Sequence, residues 1–363
     1  MDNYGIPKYT ERKKGDCKLN ILIGFLIFSI VIIFHEFGHF LFAKLSGIKV
    51  LEFSLGMGPR LLSHKWGKTI YSWKLLPFGG SCMMLGEDDT NEEISEDGSF
   101  QSKSVWKRIA VVAGGPLFNF ILAFGIALVI IGNIGYDVPV LLAVTENTPA
   151  AEAGLQKGDQ ILSINGKQIH FWREIQNYQS FHPGEIMDIK YERDGKISEV
   201  IITPEVNNGS YLIGISGSNN CRQKLGVLQT VKYSCYEVKY WIDTTLSSLK
   251  LMVTGRVEKK DISGPVGVIK GVSDTYEETK SSGWYYVWIN MMNIGLLLSA
   301  NLGVMNLIPF PALDGGRLFF LIIEAIRKKR VNPVLEESIT LGGFVILMLF
   351  MVVVTGSDIL KLL

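Results

Sequence analysis

Four apolar stretches, running roughly from Leu19 to Leu45, Ile109 to Gly132, Trp284 to Ile308 and Ile339 to Gly356, limit this chain more than any other feature. Each is long enough to cross a hydrocarbon core that needs about 20 residues of helix. Lipid cannot satisfy an open strand edge, so the four should be helices, with their polar side chains facing protein or a water-filled cavity. The first stretch carries His35, Glu36 and His39 and lacks a small-residue cleavage site, so it is expected to stay in the mature protein rather than be removed as a leader. Between the spans the chain is polar, and the whole is 47% hydrophobic and 20% charged, which suits a mixed architecture. The net charge of +1 gives no basis for binding nucleic acid, whose partners concentrate Lys and Arg on one face.

The linking segments can also be read. From Lys49 to Gly80, β-branched and aromatic residues punctuated by Gly56, Gly58-Pro59, Gly67 and Gly79-Gly80 predict short strands and hairpins. The alternating run Lys68 to Leu76 is expected to be an edge strand. The acidic run Glu87 to Asp97 has no apolar period and reads as a solvated loop. Val138 to about Ile215 reads as one small soluble domain, with a hairpin turning at Asp194-Gly195. Val231 to Val253 is an amphipathic helix, either at the membrane surface or packed on that domain. These limits give a 1–18 tail, a first membrane part at 19–136, an inserted domain at 137–216, a connector at 217–283 and a second membrane part at 284–363. Cys17, Cys82, Cys221 and Cys235 are widely spaced without C-x-x-C and read as free thiols, and His64, His170 and His182 read as ordinary surface or turn positions.

His35-Glu36-Phe37-Gly38-His39 is H-E-x-x-H, and on a helix the i, i+4 spacing puts both imidazoles on one face, within reach of one metal ion. Zinc is the default metal, and Glu36 can accept a proton from the water that such a metal activates. In lipid, two histidines and a glutamate would cost several kcal/mol unless they served a site. A third ligand is expected, and the best candidate is Asp314, in the run Asn306-Leu-Ile-Pro309-Phe-Pro311-Ala-Leu-Asp314-Gly315-Gly316. Its prolines and glycines break the third span, and irregular backbone at that depth is tolerated where it lines a cavity.

These segments resemble the site-2 protease family of intramembrane zinc metalloproteases, in its bacterial RseP/RasP branch. The resemblance rests on His35-Glu36-x-x-His39, on Asn306 to Gly315 as N-x-x-P-x-P-x-L-D-G, and on Gly115-Pro116-Leu-Phe-Asn119. Leu76 to Gly80 and Ile262 to Gly267 are further family-like segments. Pro149 to Gly166 resembles a bacterial PDZ domain, with Leu155, Ile161 and Ile164 in its core and a groove that takes an extended peptide by strand addition.

The resemblance implies a multi-pass α-helical membrane protein of about four transmembrane helices, with a membrane-associated β-hairpin region and one inserted α+β PDZ domain. It implies Zn2+ held by His35, His39 and Asp314, Glu36 as catalytic base, and Asn306 stabilising an oxyanion or holding substrate backbone. Asn119 would be a structural or substrate-facing amide. The implied activity is intramembrane hydrolysis of single-span membrane protein substrates such as anti-sigma factors or signal-peptide remnants, after a first protease has cut them. The implied place is the bacterial plasma membrane, with the lipid bilayer as partner, a possible peptide ligand on the PDZ domain and no nucleic acid. Arg327 to Arg330 next to a span puts that loop in the cytoplasm and both termini and the PDZ domain outside, although Lys8, Arg12, Lys13, Lys14 and Lys18 in the tail would by the same rule favour the cytoplasm; the resemblance implies catalytic motifs toward the cytoplasmic side.

Overall fold

A computed structural model describes residues 14–87, 97–207, 210–217, 221–256 and 264–362. The tail residues Lys8, Arg12 and Lys13, most of the acidic run and Ile262-Ser263 lie outside the described residues. By its internal contacts the chain divides into two units, residues 1–122 with 259–363, and residues 123–258.

The first unit begins with α1 (Lys14–Leu45) and continues through two long strands, β1 (Val50–Trp66) and β2 (Thr69–Met84), into α2 (Val105–Ile134). After the inserted unit it resumes with α6 (Pro265–Lys280), α7 (Trp284–Leu307), α8 (Asp314–Arg327) and α9 (Pro333–Leu362). Among the described residues, four helical stretches are long and apolar enough to cross a membrane: Leu22–Leu45, Val105–Ile134, Trp284–Leu307 and Pro333–Lys361. They contain the four stretches expected from sequence, except that the first begins three residues later and the third ends one residue earlier, at Leu22 and Leu307.

Two glycines draw the first helices together. A Cβ on Gly38 of α1 would lie 2.1 Å from the Gly114 carbonyl oxygen of α2, and one on Gly114 would lie 2.7 Å from that of Gly38. Only residues without side chains permit this backbone approach, the device by which small residues pack helices in a bilayer. Arg108 of α2 is buried and donates to both carboxylate oxygens of Glu324 on α8. Asp358 of α9, also buried, accepts from the backbone N–H groups of Gly264 and Gly267 at 2.9 and 2.7 Å and so caps α6 from another helix.

The hairpin differs from expectation. Gly56 and Gly58 have φ of 81° and 88°, Pro59 follows, and Gly79 has φ of 84°, so both strands fold back on themselves. Ile70 to Trp73 consequently pair with Glu52 to Leu55 on one side and with Leu62 to Lys65 on the other. The segment expected to be an edge is internal. Gly80 to Met84 pair only with Val50 to Leu55, so among the described residues they form an edge of this sheet, and Leu62 to Trp66 form the other. Inside the sheet Glu52 is buried and receives a two-pronged hydrogen bond from Arg60 at 2.9 and 2.7 Å, with Ser72 adding a third donor.

The second unit carries β3 (Tyr136–Asp137), β4 (Ala143–Val144), α3 (Pro149–Glu152), β5 (Gln160–Ile164), β6 (Lys167–Gln168), α4 (Trp172–Phe181), β7 (Met187–Arg193) and β8 (Lys196–Ile202). It continues with β9 (Glu205–Asn207), β10 (Ser210–Leu212), β11 (Ile215–Ser216), β12 (Arg222–Gln223) and α5 (Val227–Val253). The sheet order β6-β5-β7-β8 is antiparallel, and Asp194 and Gly195 both have positive φ, as the two-residue hairpin between β7 and β8 requires. Leu155, Ile161 and Ile164 are buried in one core with Trp172, Ile189 and Ile202. The loop before β5 is pinned by Arg193, which grips the buried Asp159 with two hydrogen bonds of 2.6 Å and reaches the Gly154 carbonyl. This is the α+β, PDZ-like domain expected from sequence.

Helix α5 packs on the inserted domain, which is one of the two readings of its sequence. Its buried side is polar: Glu237 takes Arg173, and Tyr240 accepts a hydrogen bond from Asn177 at 2.8 Å, both from α4. Leu228, Val231, Leu246 and Met252 stay exposed.

Candidate metal centre

The H-E-x-x-H motif sits inside α1, and its two histidines are 7% and 9% exposed on one face, with Nε2 atoms 3.2 Å apart. The third partner arrives from the far end of the sequence. After α7 ends at Leu307, the backbone turns through Pro309 and Pro311, and Ala312 takes φ of 77°, a conformation that costs a non-glycine residue on the order of 1–3 kcal/mol. Helix α8 then starts at Asp314. A Cβ on Gly315 would lie 2.0 Å from the Ile308 carbonyl oxygen, and one on Gly316 would lie 2.5 Å from that of Phe310, so the two glycines let α8 pack onto this turn. Asp314 Oδ2 is thereby set 3.1 Å from His35 Nε2 and 3.4 Å from His39 Nε2.

The donor chemistry of this triad fits zinc, which takes imidazole nitrogen and carboxylate oxygen and keeps a position open in catalytic sites. The ligand atoms of His35, His39 and Asp314 all lie within 4.8 Å of one another, the only such group of His, Cys, Asp and Glu among the described residues. Asp314 Oδ2 is buried and faces the Nε2 atoms of both histidines, the arrangement in which one cation would be shared by all three. His39 Nδ1 lies 2.9 Å from the Val111 carbonyl oxygen; donating there leaves the Nε2 lone pair facing the triad.

Space for an ion is kept by α2. A Cβ on Gly115 would fall 2.3 Å from His39 Nε2 and 2.7 Å from His35 Cε1, so any other residue there would invade the site. Glu36, one residue along α1, is half-buried and borders Gly80, whose added Cβ would come within 3.1 Å of Glu36 Cγ. The sheet edge that begins at Gly80 therefore starts beside Glu36. Asn306, near the end of α7, brings its Nδ2 to 3.5 Å from His35 Nε2. A cavity of about 540 Å³ borders Asp314, lined by polar residues such as Glu87, Arg317 and Glu336 and apolar ones such as Leu313 and Phe344.

All five residues singled out from sequence thus lie at one place. Asn119 lies there too, but wholly buried, with Nδ2 3.1 Å from His35 Nδ1. Gly38, Gly115, Gly80 and the Val111 carbonyl were not foreseen in these roles. Glycine at helical spacing within two apolar spans was the available signal for the first two; a backbone carbonyl leaves none. His64, His170 and His182 stand apart: His64 is exposed, His170 packs on Tyr236, and His182 stacks on Tyr178 at the end of α4. Cys82, Cys221 and Cys235 are free thiols.

A two-histidine, one-carboxylate triad whose histidines lie buried on a membrane-length helix, with a glutamate beside them, is the donor set of a membrane-embedded zinc metalloprotease. Residues 23–350 match the family model described as Peptidase family M50. A protein of Clostridium acetobutylicum whose name includes the words zinc metalloprotease is 36% identical over 94% of this chain and 97% of its own. The regulator of sigma-W protease RasP of Bacillus subtilis is 34% identical over 95% of this chain and 99% of its own; that alignment spans 428 positions, so the Bacillus protein carries residues without counterpart here. Among solved structures, the PDZ domain of an SdrC-like protein from Listeria monocytogenes is 28% identical over 22% of this chain and 87% of that one, with a TM-score of 0.20. The chain belongs to peptidase family M50, the site-2 proteases, and is a zinc metalloprotease of a bacterial membrane.

Proposed function

We propose that the protein hydrolyses peptide bonds of single-span membrane proteins within or at the edge of the bilayer, at a zinc ion held by His35, His39 and Asp314. The convergence of these three ligand atoms within 4.8 Å, from segments some 275 residues apart, carries the proposal. Zinc bound there would supply Lewis acidity toward water and the scissile carbonyl. Glu36 takes the proton from the attacking water and passes it to the leaving amine. The Asn306 amide, at the rim of the triad, donates a hydrogen bond to the oxygen on which negative charge develops or to substrate backbone.

A transmembrane substrate hides its peptide bonds in i to i−4 hydrogen bonds and has to unwind locally before it can be cut. The edge from Gly80 to Met84 offers it a strand to pair with beside Glu36. Regulation of sigma-W in the name of the Bacillus relative supports anti-sigma factors as the substrate class; we take them to reach the site already trimmed by a first protease. The PDZ-like domain, outside the cell, reads the trimmed end or excludes untrimmed substrates. The basic run Arg327 to Arg330 supports a cytoplasmic position for the loop before α9 and for the water supply. Membrane-impermeant thiol labelling from outside checks this sidedness: it should reach a cysteine placed in the PDZ-like domain and miss one placed at Lys329.

Purified protein should contain one zinc ion, lost in the His35→Ala, His39→Ala double variant. Glu36→Gln should keep the ion and lose cleavage of a reporter single-span substrate. Zinc retained by the double variant would refute the ligand assignment, and turnover by Glu36→Gln would refute the base.

A further inference from the structure

His35 and His39 present one nitrogen each to the triad, but their other nitrogens meet different partners. His39 Nδ1 faces the Val111 carbonyl oxygen, a fixed acceptor. His35 Nδ1 faces the side-chain amide of Asn119, whose Nδ2 lies 3.1 Å from it. A neutral imidazole has one protonated nitrogen and one lone pair. Zinc on His35 Nε2 would use the lone pair there, so the proton would sit on Nδ1 and require an acceptor. In this orientation the amide offers Nδ1 a donor instead.

The remaining amide atom removes the conflict. Asn119 Oδ1 is buried and has no hydrogen-bond partner, in a residue that is 0% exposed. The oxygen and nitrogen of a carboxamide exchange places when it turns by half a revolution, and their assignment follows from the hydrogen-bond network. The turned amide places Oδ1 on Nδ1–H. The helix backbone at this position stays fixed throughout, because the Asn119 carbonyl accepts from the buried Ser299 hydroxyl of α7 at 2.7 Å.

We propose that Asn119 is the positioning residue for His35 and works in two orientations. With zinc held, Oδ1 accepts from Nδ1–H and fixes the tautomer that presents the Nε2 lone pair. With zinc gone, the amide turns and Nδ2 donates to Nδ1, while the Nε2 proton faces Asp314 Oδ2, 3.1 Å away. An amide serves both states; a carboxylate would serve the loaded state alone and an apolar side chain neither. The inference rests on the reading of His35 as a zinc ligand.

The test measures zinc dissociation constants by chelator competition, and the melting temperature with and without zinc, for full-length protein in detergent. Partners of metal-ligating histidines typically account for 10–100-fold in metal affinity, so Asn119→Leu should bind zinc at least about tenfold more weakly. Asn119→Asp, a permanent acceptor, should bind zinc at least as tightly as the parent and show a larger rise in melting temperature on adding zinc. A role in packing alone would not separate these two substitutions. Parent-like affinity in Asn119→Leu, or equal weakening in both, overturns the proposal. If Asn119→Leu does not fold, Asn119→Asp decides alone, and weaker zinc binding by it overturns the proposal. Failure of the underlying reading looks different: His35→Ala would then leave zinc affinity unchanged.

Discussion

Gly115→Ala is the sharpest test of how the metal centre is built, because it adds one methyl group to α2 and alters no candidate ligand. The new Cβ would sit 2.3 Å from His39 Nε2, 2.6 Å from His39 Cε1 and 2.7 Å from His35 Cε1. Ordinary carbon contacts lie at about 3.5–4.0 Å, so the imidazoles or α2 have to give by roughly 1 Å. Retreat of α2 would open the Gly38–Gly114 backbone contact and draw the Val111 carbonyl away from His39. If the rings move instead, His39 leaves the same acceptor. Metal sites tolerate deviations of about 0.2 Å in ligand distance, and a 1 Å misplacement of catalytic groups costs about 100-fold in rate. Zinc content by elemental analysis, affinity by chelator competition and cleavage of a reporter substrate should all fall, the last by about 100-fold or more. Gly125→Ala on the same helix is the control, because its Cβ would meet nothing within 4 Å and only the roughly 1 kcal/mol gain in helix propensity remains. A Gly115→Ala protein with one tightly held zinc ion and unchanged turnover would refute the claim that α2 seats the ligands.

Two further outcomes follow from elements away from the triad. Arg173 is half-buried between Asp137 and Glu237 and lies over the rings of Phe171 and Tyr240, so Arg173→Met leaves two buried carboxylates without this cation and should cost about 3 kcal/mol of stability in the inserted unit; a thermal melt that shifts by less than about 2 °C would count against it. Proline placed singly at Cys82 and at Met83 samples both directions of backbone N–H along the edge strand, and the position whose N–H points away from β1 should keep zinc and fold while losing at least about tenfold in turnover; full turnover in both would rule out strand addition at this edge.

The parts of the site that could be read in the sequence carry their geometry in local spacing. His35 and His39 are one helical turn apart, so their common face follows from the period of the helix. Asp314 was legible because the prolines and glycines around it break an apolar span where a break needs a reason. The four spans were legible from length and apolarity alone. Other features depend on who meets whom across the fold. Alternation along Lys68 to Leu76 fixes which side chains share a face, but it cannot say whether one or two neighbours lie beside the backbone. The internal place of Ile70 to Trp73 came from the reversals at Gly56, Gly58 and Gly79, which let one hairpin pair twice. Arg173 and its two carboxylates lie 36 and 64 residues apart in sequence, with nothing local to mark them as a buried cluster.

The glycines at the metal centre explain how a polar triad can persist inside an apolar bundle. Burying two imidazoles and a carboxylate is costly unless each polar atom is satisfied, and in lipid no water is at hand to do so. Side-chain partners on neighbouring helices reach only as far as the helices approach. Gly38 and Gly114 bring α1 and α2 into backbone contact, and that contact carries the Val111 carbonyl and the Asn119 amide to the outer nitrogens of His39 and His35. Gly115, on the same face of α2, leaves vacant the volume in front of the inner nitrogens. Larger residues at Gly38 or Gly114 would separate the helices and strand both outer nitrogens; one at Gly115 would fill the ion's place. The same close approach therefore satisfies the histidines on one side and keeps them available to zinc on the other.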